Sequence, residues 1–172
     1  MKVKIGEELA KARKRQGLSQ EQLSWDLPVS RASIAKYETG KRKLPDDLRA
    51  PIAKAVDDVE YYFLTWRDAA GEVSIPYFNG DYIDQHPASL VFLVKKEAAE
   101  AMDHVREACW IKPAEALNES EKEKMKQCCL ELLDVVASTL NLVAIMCKTY
   151  GFSMLSIFKQ WRSTIKARRY SR

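Results

Sequence analysis

Arg31 and Lys36 lie within SRASIAKYETG at 30–40, and Lys41, Arg42 and Lys43 follow directly. Guanidinium and ammonium groups are donors without acceptors, so their chemistry is phosphate neutralisation and donation to acceptor edges rather than bond making. The residues for covalent chemistry are not assembled. There is no Ser/His/Asp set, no carboxylate cluster with a histidine and no glycine-rich phosphate loop, and the chain is not read as an enzyme. Cys109, Cys128, Cys129 and Cys147 sit in apolar helical patterns, with no CxxC pair and no histidine at metal-ligand spacing. They read as plain buried thiols, and neither metal nor cofactor is expected. His86 and His104 are isolated, and read as surface or capping residues.

The 172 residues carry a net charge of +4, distributed unevenly. Residues 1–57 hold 13 Lys/Arg against 8 Asp/Glu, residues 58–150 hold 9 against 16, and residues 151–172 hold 6 against none. A basic first segment suits a phosphate-facing module; an acidic middle is repelled by phosphates and is expected to face protein or itself. Unbroken apolar runs such as 90–94 and 142–147 fall short of the roughly 20 residues a spanning helix needs, so no membrane role is expected. MKVKIGEELAKARKR lacks the apolar core of a secretory leader, which points to the cytoplasm.

The elements that must position these side chains are helical. Ile5, Leu9 and Ala12 define an amphipathic helix over about 4–16, closed by Gly17. Ser19 and Gln22 have capping-box spacing for a second helix, which Pro28 cannot extend. A third runs from Ser30 to Gly40 with Ile34 and Tyr37 inward, a fourth follows Pro45, and a fifth spans about 58–70 with Val59, Phe63 and Trp66 on one side. Residues 71–87 have no helical period and read as an extended connector; Ile75, Tyr77, Phe78, Tyr82 and Ile83 are expected to pack. Residues 88–109 resume a helix through Val91, Val94, Ala98, Met102 and Val105. A longer helix starts at a Ser120/Glu123 capping box and carries Met125, Cys129, Leu132, Val136, Leu140, Val143 and Met146 to about Tyr150. From 135 to 147 nearly every side is apolar, which implies burial all round or sharing between two protomers. Gly151 precedes a last helix with Leu155, Phe158, Trp161 and Ile165.

LSQEQL at 18–23 and VSRASIAKYETGKR at 29–42, with the spacing between them, resemble the Cro/C1-type (XRE) helix-turn-helix of phage repressors and bacterial regulators, over about residues 4–56. The resemblance implies a five-helix, lambda-repressor-like DNA-binding domain whose third helix enters the major groove. It places Gln20 at the DNA backbone or a base near it. It puts Ser30, Arg31, Ala32, Ser33 and Lys36 at the recognition helix, with Arg31 and Lys36 able to donate to guanine O6 and N7. Thr39, Lys41, Arg42 and Lys43 occupy the region that meets phosphates, and Arg13 and Glu38 match a pair that often locks helix 1 to helix 3. Pro28 stands where the family usually has glycine, so the turn must be rebuilt without a positive φ. Ser24 replaces a commoner alanine, with a hydroxyl able to bond back to the preceding turn.

The expected architecture is all-α: a DNA-binding domain at 1–70, the connector at 71–87, and a helical dimerisation or regulatory domain at 88–172. One such module makes few base contacts, and operator affinity usually needs two copies. Leu132, Val136, Leu140, Val143, Phe158 and Trp161 are the expected homodimer interface, and a protein effector could act on the same half. The expected function is a regulator of phage or mobile-element type, a repressor binding double-stranded DNA as a dimer. The alternative is an antitoxin or anti-regulator that binds a partner protein through its second half.

Overall fold

A computed structural model describes residues 5–172, and all its regular structure is helical. Residues 1–4, on which the expected start of the first helix at about residue 4 falls, lie outside the described residues. Contacts divide the chain into two units: residues up to Tyr77 together with Tyr150–Arg172, and Phe78–Thr149.

The first unit holds α1 (Ile5–Arg15), α2 (Gln20–Trp25), α3 (Arg31–Glu38), α4 (Asp46–Val56) and α5 (Val59–Ala70). Ser19 and Gln22 form the expected capping box, and Ser30 caps α3 through the Ser33 N–H. Leu9, Leu23, Ile34, Ile52 and Tyr61 are almost wholly buried and form the centre of its core. Trp66 does not join them, and remains 41% exposed at the end of α5.

Gly6 fits α1 against α3. A Cβ there would lie 2.1 Å from the Tyr37 carbonyl oxygen, so only glycine lets the two backbones approach this closely.

The turn between α2 and α3 is built as Pro28 requires. Apart from glycines, only Asp57 and Arg169 have positive φ among the described residues, so Asp26 to Val29 pass without a left-handed residue. The Ser24 hydroxyl donates to the Glu21 carbonyl at 2.6 Å, which keeps that side chain turned back on its own helix.

The connector packs in part. Tyr77 meets Phe63, ring centroids 5.3 Å apart, and Phe78 is half buried, but Tyr82 is fully exposed, against expectation.

The second unit holds α6 (Pro87–Glu107), a short 3-10 turn at Ala114–Ala116, and α7 (Glu119–Tyr150). His86 caps α6, its Nδ1 accepting the Ala88 N–H. The capping box of α7 is Asn118 with Glu121, not Ser120 with Glu123: each side chain of that pair accepts the other's backbone N–H at 2.9 Å. Both pairs have the required spacing, and the earlier one captures the helix start.

The inward face of α6 is rotated by about one residue from the expected stripe. Leu90 and Ala101 are buried, while Val91 and Met102 stay outside, because the run 90–94 is apolar on every side. On α7 the buried face is mostly of small or polar residues, Cys128, Ala137, Ser138, Asn141, Ala144 and Cys147, with Ile145 the one large apolar side chain among them. Asn141 is satisfied there, accepting the Phe78 N–H at 2.8 Å and donating to the Ala137 carbonyl. The large apolar stripe of Leu132, Val136, Leu140 and Val143 is left exposed or half-buried, so α7 is not buried all round within one chain.

The last helix, α8 (Met154–Ala167), groups with the first unit rather than with α6 and α7. Asp57, in the left-handed conformation at φ 48°, accepts the Leu155 N–H at 3.0 Å. Ser153 caps the same first turn.

Candidate nucleic-acid interface

Helix α3 is short, and a salt bridge ties it to α1. Arg13 Nε and Nη2 donate to the two carboxylate oxygens of Glu38 at 2.6 and 2.9 Å, and Arg13 Nη1 donates to the Leu18 carbonyl. Both side chains are buried, as the helix 1 to helix 3 lock requires. Burial alone would raise the Glu38 carboxyl, but hydrogen bonds from Arg13 and Gln20, with the charges of Arg13 and Lys14, bring it below the ordinary range. The hydrogen bond to Glu38 raises the Arg13 guanidinium, against the opposing effect of burial.

Gln20 is drawn into this lock. Its Nε2 donates to Glu38 at 2.8 Å, so one amide proton is already engaged and the side chain joins α2 to α3. A second bidentate pair, Arg15 with Asp58 at 2.9 and 2.6 Å, ties the end of α1 to the start of α5. Nothing in the local sequence pattern marks this pair, because its partners lie 43 residues apart.

The outer side of α3 is free of such contacts. Arg31, Ala32, Ala35, Lys36, Thr39 and Lys41 line one open concavity of about 410 Å³. The residue the sequence reading omitted is Ala35; it lies one turn from Arg31 and Ala32, and this spacing is the signal that could have found it. Arg31, Lys36, Lys41, Arg42 and Lys43 are exposed, and none has a carboxylate partner among the described residues. The Arg42 N–H donates to the Lys36 carbonyl, which folds the basic segment back onto the end of α3.

Ser30 and Ser33 serve the helix start, their hydroxyls 3.2 Å apart, and neither lines the concavity. The Thr39 hydroxyl donates to the Ala35 carbonyl, and Ala32, Ala35 and Thr39 form the small-residue part of the concavity's lining. The arrangement offers cationic donors around a small-residue floor. It can hydrogen-bond and neutralise.

The expected dimer residues fall in both units. Leu132, Val136, Leu140 and Val143 lie on α7; Phe158 and Trp161 lie on α8, edge to face at 5.9 Å. Cys128 and Cys147 are buried as expected, Cys109 is half-buried, and Cys129 is exposed, one step of about 100° around the helix from its neighbour. Among the described residues Glu97, Glu131 and Asp134 bring carboxylate oxygens within 4.8 Å of one another. Glu97 already meets Lys96 Nζ at 3.2 Å and Glu131 accepts from Gln127 at 2.7 Å, so side-chain donors occupy this group in part.

An 18-residue window of α7 has a mean hydropathy of 1.8, apolar enough by length and composition to cross a membrane. Counting unbroken apolar runs does not register it, because Ser138, Thr139 and Asn141 interrupt the run. Two of those interruptions, Ser138 and Asn141, are buried, and a third of the window is buried within the chain.

Among known families, residues 4–58 match the model of a helix-turn-helix domain. No curated protein and no solved structure matched the chain. The matched segment is the one in which LSQEQL and VSRASIAKYETGKR resemble the Cro/C1 type, and it ends at Asp58, where the Arg15 pair closes the module.

Proposed function

We propose, from a helix-turn-helix domain over residues 4–58, that this protein is a sequence-specific DNA-binding transcriptional regulator working in the cytoplasm as a homodimer on a two-fold operator. The observation that carries the reading is the concavity outside α3. Arg31 and Lys36 on α3, with Lys41 just after it, line this concavity with no carboxylate partner among the described residues, and a buried lock holds the helix. Arg31 and Lys36 would donate to base edges, and Lys41, Arg42 and Lys43 to phosphates.

Dimerisation is assigned to α7. Leu132, Val136, Leu140 and Val143 fall within one narrow arc over three turns, and the chain leaves Leu132 and Val136 exposed and Leu140 and Val143 half-buried. A second copy is the fitting occupant, because an operator read by one short helix needs two half-sites about one turn of DNA apart. Repression would then be steric, the occupied operator excluding polymerase.

The test is a footprint on the DNA upstream of the protein's own gene, followed by affinity measurements on two variants. Arg31→Ala should cost about 1–3 kcal/mol and relax specificity at one base position, whereas Lys41→Ala should weaken binding to all sequences alike. Unchanged binding by both variants would refute the assignment of α3. Sedimentation of Val136→Glu as a monomer, with the wild type a dimer, would support the α7 seam; an unchanged dimer would refute it.

A further inference from the structure

The last helix carries a charge pattern that the recognition module does not account for. Residues 151–172 contain Lys159, Arg162, Lys166, Arg168, Arg169 and Arg172 and no acidic residue. All six are exposed, and none has a carboxylate partner among the described residues. In the second unit Lys96, Arg106, Lys112, Lys122 and Lys126 each meet a carboxylate within 3.3 Å, while Lys95 and Lys124 do not among the described residues; no cation of residues 151–172 is so paired. The cations of α8 are therefore exposed and not held in ion pairs among the described residues.

Their placement is ordered. Lys159, Arg162 and Lys166 recur at i, i+3 and i+7, which puts them on one side of α8 next to the Phe158, Trp161 and Ile165 side. Seven residues of helix rise about 10 Å, comparable to the rise of about three phosphates along one DNA strand. The helix also starts at the DNA-binding unit. Asp57 accepts the Leu155 N–H, and the next residue, Asp58, holds Arg15, four residues before the Ser19 cap of α2. In this way α8 is hooked beside the α1–α2 turn.

We infer that α8 is a second DNA-contacting element, whose Lys159, Arg162 and Lys166 bind the phosphodiester backbone without reading sequence. The inference rests on the DNA-binding reading above and extends it from base readout to affinity. Phosphate contacts position a module and set its salt dependence, whereas base contacts specify. Three contacts should contribute about 2.7 to the slope of log K against log salt, which is about a 40-fold change in affinity between 50 and 200 mM.

The test uses the full chain and a random-sequence 30-base-pair duplex, so that no operator need be known. K159Q/R162Q/K166Q should flatten the salt slope by about 2.7, while its circular dichroism and melting stay those of the wild type. R31A/K36A serves as the second variant, and should keep the contribution of α8. A triple variant with the wild-type slope overturns the inference and leaves the DNA-binding reading standing. A wild type that binds no duplex overturns both, before any variant is made. Binding of the wild type, but not the triple variant, to vesicles of anionic lipid, with duplex binding equal in the two, would assign the stripe to a membrane surface and also overturn the inference.

Discussion

Replacing Glu38 by alanine should destabilise the first unit more than any exposed change, and the structure sets the magnitude. The substitution strands two buried guanidinium donors of Arg13 that now sit 2.6 and 2.9 Å from carboxylate oxygens. Each stranded donor to a charged partner costs about 1–3 kcal/mol, and removal of one member of a buried pair costs about 3–5 kcal/mol in all. Gln20 also loses its acceptor, but it is only half-buried and water replaces it. Set against the 5–15 kcal/mol typical of a whole domain, a loss near 4 kcal/mol is a large share. Because the chain has two units, a global melt mixes them; amide exchange read on the peptide over 31–44 reports the first unit alone. Exchange there should accelerate roughly 150- to 4,000-fold, at about 1.4 kcal/mol per decade. The Arg13→Met, Glu38→Leu double variant should return to within about 1 kcal/mol of the wild type, because a packed apolar pair removes both charges at once. Acceleration below about fivefold for the single variant, or a double variant as unstable as the sum of the singles, would refute the account of the lock.

The depressed Glu38 carboxyl makes the first unit pH-sensitive. Its stabilisation is full above the ordinary value of 4.5 and is lost as pH falls toward its lower folded value; the same 31–44 exchange should show extra acid lability in the wild type and much less in Glu38→Gln. Gly6→Ala should destabilise by about 1–3 kcal/mol despite alanine's better helix propensity, because its Cβ meets the Tyr37 backbone carbonyl; a gain in melting temperature would refute the close approach. Asp57→Gly keeps the left-handed backbone and removes the acceptor, so the Leu155 amide should exchange faster while amides of α2 and α3 hold; equal rates at Leu155 would refute the anchor.

Much of the first unit was legible in the sequence because its signals are local. Capping hydroxyls at Ser19 and Ser30, glycines at 17 and 40, and the inward spacing of Leu9, Ile34 and Tyr37 each act within one turn of chain. The exposed cations of α3 follow from the same periodicity, since a helix with Ile34 and Tyr37 inside must show Arg31, Ala32 and Lys36 outside. The second unit was less legible, because its helices are apolar on several sides and periodicity alone cannot choose a face. On α7 the larger apolar stripe suggested the core, but the face of Cys128, Ala137, Ser138, Asn141, Ala144, Ile145 and Cys147 took it. Small residues permit close packing and Asn141 finds both its partners there, so polar satisfaction outweighed side-chain size.

By itself the sequence determined an all-α chain and a helix-turn-helix segment, because both depend on helix period, capping or a recognisable local pattern; the Arg13 to Glu38 lock, 25 residues apart, was legible only through the resemblance to a family. Only the tertiary structure decided that Gln20 belongs to the lock, that Arg15 closes the module on Asp58, and that α8 joins the first unit through Asp57. Those contacts span 18, 43 and 98 residues. They depend on which surfaces meet once the helices are formed, and no window of sequence contains that information.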